Sequence, residues 1–104
     1  MAKYLLTYRG GSMPETDVDR KAVTDAWMAW FGSLGAAVVD GGNPTSRGRT
    51  VNADRSVGPE GAPAVSGYSV LAADTLDAAV ELAKSCPVLL GGGSIDVSET
   101  FEAM

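Results

Sequence analysis

A stripe of apolar side chains between residues 17 and 34 constrains the fold of this chain more than any other feature. The stripe consists of Val23, Trp27, Trp30 and Leu34. Their spacing of four, three and four positions places them on one face of an α-helix. Thr16 or Asp17 is expected to cap this helix, and Gly35 to end it. A helix with one apolar face needs a sheet or another helix on which to bury it.

The rest of the sequence supplies a sheet. Short runs rich in β-forming residues occur at 3–9, 36–39, 67–72 and 94–98. A second helix is predicted from a cap at Asp74 or Thr75 through Lys84, with Pro87 stopping it. The resulting order is βαββαβ, which is typical of a ferredoxin-like α+β fold with a four-stranded antiparallel sheet and both helices on one face. We expect residues 1–104 to form a single domain.

The segment from 43 to 66 has the composition of a long loop. It contains three prolines, three arginines and several glycines. Because compact domains seldom contain such long unstructured connections, we expect a hairpin arm at 47–51.

One face of the predicted sheet has no helix to cover it. A domain of 104 residues buries a modest share of its surface, so contact with a second copy adds stability. A symmetric pair buries the same face in both chains at once. The sequence therefore predicts a homodimer formed through the open sheet face.

Composition narrows the classes of partner and the location. A net charge of −5 opposes binding to nucleic acid or anionic lipid. No stretch approaches the roughly 20 apolar residues of a membrane span, and the first residues lack a secretory apolar region. One cysteine and no histidine leave no Cys/His metal cluster to propose. We expect a cytoplasmic protein without a metal or other cofactor.

The sequence resembles the YCII-related family, especially its DGPF-type members, over most of its length. The resemblance is carried by KYLLTYR, the Trp-containing helix, GAAVVDGG, SGYSVLAADTLDAAVELAKSCP and GGSIDVS. It implies a dimeric α+β barrel built from ferredoxin-like subunits. Some members resemble small-molecule enzymes with a His-Asp pair in the cleft. Asp40 is the position that matches the aspartate, whereas this chain has no histidine and has SVGPEG where the DGPF signature would lie.

Asp40, at the end of the second predicted strand, is the candidate catalytic residue. A carboxylate in this position can act as a general base if burial raises its pKa. The alternative is turn chemistry, because an aspartate before two glycines can accept hydrogen bonds from nearby backbone N–H groups.

Four further residues are candidates for binding a substrate. Arg9 and Arg47 can hold an anion, although loop arginines are more often solvated or paired with acidic groups. Tyr8 can offer a hydroxyl near that anion, and Trp27 can form an apolar wall, with core packing as the alternative for both. Cys86 lies near a helix end that disfavours a thiolate, so a nucleophilic role is not expected.

Two functions follow from these features. The first is a homodimer that binds a small, partly apolar, anionic molecule between helices and sheet, with lyase-like or isomerase-like acid/base chemistry by Asp40. The second is a non-catalytic ligand-sensing or interaction module in which the same cleft turns nothing over. If Asp40, Tyr8 and the arginines lie together in the cleft, the first function, an enzyme, is favoured.

Overall fold

A computed structural model describes residues 1–12 and 14–103 and has a mixed α+β architecture. Its strands are β1 (Ala2–Arg9), β2 (Val38–Asp40), β3 (Arg49–Val51), β4 (Val57–Pro59), β5 (Val65–Ala73) and β6 (Ser94–Glu99). The α-helices are α1 (Asp17–Leu34) and α2 (Leu76–Ala83), and short 3₁₀ turns occupy Gly35–Ala37 and Pro87–Gly91.

The main sheet has four strands in the order β2-β5-β1-β6, and every neighbouring pair is antiparallel. The two long strands β1 and β5 lie at its centre. This strand order and the two helices are compatible with a ferredoxin-like fold. The predicted antiparallel sheet is therefore confirmed, whereas the dimeric barrel stays a prediction.

Both helices begin with the predicted caps. The Thr16 hydroxyl oxygen accepts a hydrogen bond from the Asp19 amide at 3.1 Å, and the Thr75 oxygen accepts from the Ala78 amide at 3.0 Å. The first helix ends at Gly35, whose φ of 56° suits a residue without a side chain. The second helix ends at Ala83, one residue before the predicted end.

The second strand differs from its predicted position. Residues 35–37 form a 3₁₀ turn directly after the helix, so the strand begins at Val38 instead of residue 36. Beyond Asp40 the chain keeps following β5: Pro44 bridges to Gly67, and the Thr45 amide donates to the Ser66 carbonyl. The edge of the sheet is thus longer than its three-residue strand.

The long loop contains the expected hairpin. β3 and β4 pair through Arg49–Pro59, Thr50–Gly58 and Val51–Val57. The sequence predicted the first of these strands and missed the second. The Val51 and Val57 side chains are 69% and 57% exposed, so the arm projects from the domain.

The core lies between the helices and the inner face of the sheet. It contains Tyr4, Leu6, Tyr8, Trp30, Leu71, Ala73, Ala79, Ala83 and Cys86. Alternate residues of β1 point inward, as expected for a strand with one buried face. The Trp30 indole N–H donates to the Leu82 carbonyl at 3.2 Å and to the Ser85 hydroxyl at 3.1 Å, which ties α1 to the end of α2.

Neither of the two described α-helices covers the opposite face of the sheet. Leu5 lies on this face between Val70 and Ser98, and its side chain is 37% exposed. The molecule measures 43 × 39 × 18 Å, and its shortest dimension matches one sheet with one layer of helices. Within 1–12 and 14–103, neither helix is long and apolar enough to cross a membrane.

Candidate functional site

A cleft of about 400 Å³ lies between α1 and the β2 edge of the sheet. We call it the tyrosine cleft. One wall is the face of α1 that carries Val23, Trp27 and Phe31, and the other is the chain from Gly41 to Pro44. Its volume falls within the usual range for small-molecule pockets, and its walls are largely apolar.

The floor of the tyrosine cleft is a hydrogen-bonded chain in which Tyr8 and Ser69 are buried. The Tyr8 hydroxyl donates to the Ser69 hydroxyl oxygen at 2.8 Å. The Ser69 hydroxyl donates in turn to the Gly41 carbonyl at 2.7 Å. This chain joins the central strands β1 and β5 to the turn after β2, so the floor is fixed relative to the mouth.

Aromatic rings form the helical wall of the cleft. The Tyr8 and Trp27 rings meet edge to face, with centroids 5.1 Å apart. Trp27 also contacts Phe31 at 5.8 Å between centroids. Trp27 is half-buried, whereas its neighbour Trp30 is 4% exposed and belongs to the core. The cleft is therefore lined by aromatic rings without being filled by the two tryptophans.

Burial keeps the groups beneath the cleft neutral. It raises the pKa of Tyr8 to about 12, an effect that the hydrogen bond to Ser69 partly offsets. It also raises the pKa of the Cys86 thiol, which contacts the Tyr8 hydroxyl, to about 11. Neither a phenolate nor a thiolate is therefore available near neutral pH. The floor can position a ligand, but it does not supply a ready base or nucleophile.

Asp40 lies next to the cleft but outside its lining. Its side chain is exposed, and its Oδ1 accepts a hydrogen bond from the Gly42 amide at 2.8 Å. This is the turn geometry that an aspartate before two glycines favours. The following residues, Gly41 and Gly42, do line the cleft, so Asp40 stands at its mouth.

The two predicted arginines do not join Tyr8 and Trp27. The Arg9 guanidinium forms an ion pair with Asp96 at 2.7 Å, on the partly exposed face of the sheet opposite Tyr8. Arg47 is exposed, precedes the first strand of the hairpin and lies outside the cleft lining. Of the five candidate residues, the structure thus brings only Tyr8 and Trp27 together in the cleft.

Sequence reasoning missed Ser69 and the turn formed by Gly42 and Asn43. A signal for Ser69 was present, because strand alternation places it inward beside the buried Leu71. Gly42 has a φ of 75°, and a Cβ there would overlap the Tyr68 carbonyl oxygen. Only a glycine can lie this close to the neighbouring strand. The glycine-rich turn, whose composition is that of a flexible loop, is therefore a fixed wall of the cleft.

A second cavity of about 640 Å³ adjoins the tyrosine cleft. We call it the glycine cavity, because Gly10, Gly11 and Gly91 form part of its wall. It lies between α1 and the turn before β6. The two cavities share Val23, Trp27, Pro44, Ser66 and Val88.

Across 1–12 and 14–103, no group of three or more Cys, Asp or Glu side chains is placed to hold a metal ion. Comparison with known proteins identifies no family for the chain. No protein-family model matches the sequence, and no curated protein matches it. The resemblance to YCII-related proteins stays a prediction from the sequence.

Proposed function

We propose that this chain is a homodimeric small-molecule-binding domain, related to the YCII-type proteins, whose ligand occupies the tyrosine cleft. The observation that carries the proposal is an aromatic-walled cleft of about 400 Å³ above a floor whose polar groups already satisfy one another. A preformed apolar cavity with a few fixed polar groups is the usual form of a ligand site.

The lining favours an uncharged ligand. Among the described residues, none of the side chains that line the tyrosine cleft is charged. Because Arg9 is paired with Asp96 on the other side of the sheet, the anionic part of the predicted ligand has no partner here. Edge-to-face contact with Trp27 suits an aromatic ring, and Asn43 offers a hydrogen bond at the mouth.

Asp40 gives a second, catalytic candidate. It adjoins the glycines that line the cleft, and the Oδ2 of its exposed carboxylate can face a ligand at the mouth. In lyase-like or isomerase-like chemistry it would serve as the base. Asp40→Asn would then abolish turnover and leave the ligand affinity within about twofold, whereas a binding module shows no turnover in either protein.

The open sheet face supports the homodimer. Its Leu5 side chain, 37% exposed, lies at the centre of that face, between the two neighbours of β1. Sedimentation velocity should show a dimer that Leu5→Glu dissociates. Met28→Glu, on an exposed position of α1, serves as the control and should leave the dimer intact. A monomeric wild-type protein would contradict this part of the proposal.

The composition of the chain continues to favour a cytoplasmic location.

Binding of para-ethylphenol tests the cleft. This neutral ring fits the aromatic wall, and calorimetry measures its affinity directly. Thr24 lines the tyrosine cleft, so Thr24→Phe should fill it and weaken binding at least about tenfold. Ala29→Phe, at an exposed position of the same helix outside both cavities, should bind like the wild type. Equal affinity of the two variants would refute the cleft as the site.

A further inference from the structure

We infer that the ligand is elongated: a neutral, ring-sized head in the tyrosine cleft continues past Trp27 into an unbranched hydrocarbon tail in the glycine cavity. This inference rests on the proposed function and names the class of molecule that the site takes. It predicts a dependence of affinity on tail length.

The two cavities form one trough along the same side of α1. They share five wall residues, among them Val23 and Trp27 on the helix and Val88 in the turn opposite. Trp27 stands where the two meet, since its half-buried ring contacts Tyr8 on the tyrosine-cleft side. A ligand that extends from the tyrosine cleft into the glycine cavity therefore passes this indole.

The aromatic rings are concentrated at the tyrosine-cleft end, where Tyr8, Phe31 and Tyr68 line that cavity alone. The wall of the glycine cavity is largely apolar, and none of its described side chains is charged. It includes Ala22, Ala26, Pro87 and Leu90 beside the hydroxyl side chains of Ser12 and Thr45. A ring therefore matches the tyrosine cleft, and a hydrocarbon segment matches the apolar part of the glycine cavity.

An exposed leucine at the rim supports an apolar occupant. The Leu90 side chain is 87% exposed although it borders the cavity. A hydrocarbon tail in the cavity would cover part of the Leu90 surface. Binding would be favoured because apolar surface of both the tail and Leu90 is then removed from water. Among the described residues, the small side chains of Ala22 and Ala26 leave space between α1 and the 3₁₀ turn at Pro87–Gly91.

The far wall of the glycine cavity is held by close backbone contacts. A Cβ at Gly91 would lie 3.3 Å from the Ser12 amide nitrogen, and one at Gly93 would lie 2.9 Å from the Arg9 carbonyl oxygen. The Gly93 amide also donates to the Val88 carbonyl at 3.0 Å. The two loops that form this wall therefore touch each other, which fixes the cavity's outer boundary.

A series of para-alkylphenols, from ethyl through butyl to hexyl, tests the inference. With the tail in the cavity, calorimetry should show the dissociation constant falling by about fourfold for each added methylene. Ala26→Phe places a ring in the glycine cavity and should reduce the gain from ethyl to hexyl to less than about twofold in all. Ala29→Phe should keep the full wild-type dependence.

The outcomes separate this inference from the proposed function. If para-ethylphenol binds and the longer phenols bind no more tightly, the function stands and the elongated ligand is refuted. A chain-length dependence that survives both Ala26→Phe and a second blocking variant, Ala22→Phe, also refutes it, because the tail then lies elsewhere. If no phenol binds, the proposed function and the inference fail together. Circular dichroism confirms that each variant is folded.

Discussion

Replacing Ser69 by alanine tests the hydrogen-bonded floor of the tyrosine cleft. The serine hydroxyl is fully buried, accepts from Tyr8 and donates to the Gly41 carbonyl. Its loss leaves the Tyr8 hydroxyl, on a side chain that is 5% exposed, without a strong acceptor. The Cys86 sulfur nearby is a weak acceptor at best.

The expected magnitude follows from which groups are left unpaired. An unsatisfied buried donor costs about 1–3 kcal/mol. Gly41 is exposed, so water can replace the lost bond to its carbonyl, and this contributes little. Ser69→Ala should therefore lower the free energy of unfolding by about 1–3 kcal/mol. Tyr8→Phe removes the donor itself and should cost about 1 kcal/mol, since Ser69 keeps its bond to Gly41.

A double-mutant cycle isolates the pair. In a Tyr8→Phe background no donor is orphaned, so Ser69→Ala should cost less than about 1 kcal/mol there. Urea unfolding of the four proteins at equal protomer concentration measures the free energies, and equal concentration matters because dimerisation would add to stability. If the losses of stability from Tyr8→Phe and Ser69→Ala simply add in the double mutant, the Tyr8–Ser69 hydrogen bond does not act as described.

Three further predictions concern the same region. Gly42→Ala should destabilise the protein by more than about 3 kcal/mol in urea unfolding, because its Cβ would overlap the Tyr68 carbonyl oxygen; a smaller effect would mean that the turn can relax. Since burial raises the pKa of Cys86 to about 11, the native thiol should react with iodoacetamide at pH 8 at least about a hundredfold more slowly than the unfolded chain, and equal rates would contradict its burial. The pKa of Tyr8 rises from 10.0 to about 12 on folding, so the native state holds its proton longer and stability is lost as the pH rises above 10. Tyr8→Phe should make that alkaline loss shallower, and an unchanged slope would refute the assignment.

The elements and their order were predictable because they depend on local patterns. The spacing of Val23, Trp27 and Trp30 is a helical period, and the caps at Thr16 and Thr75 act within a single turn. The start of β2 was misplaced because the local pattern is ambiguous there. A short apolar run is compatible with a 3₁₀ turn or a strand, and only pairing with the distant strand β5 determines where β2 begins.

The site was less predictable because it depends on contacts between distant residues. Tyr8 and Trp27 were selected for their chemistry, and they meet because β1 and α1 pack on each other. Arg9 and Arg47 were selected for their charge alone. Arg9 lies one residue beyond Tyr8, so the alternation of a strand sends it to the other face, where Asp96 of β6 pairs with it.

By itself, the sequence determined the two helices and the strands of the main sheet that alternate with them, and it excluded a histidine from any site in this chain. Periodicity and capping depend on a few neighbouring residues, so they can be recognised in the sequence without knowledge of the fold. The tertiary structure alone decided that Ser69, distant in sequence, accepts from Tyr8, that Gly42 must lack a side chain, and that two cavities share Trp27. Those relations exist only once β1, β5 and α1 are packed together, because burial and hydrogen bonding depend on neighbours in space.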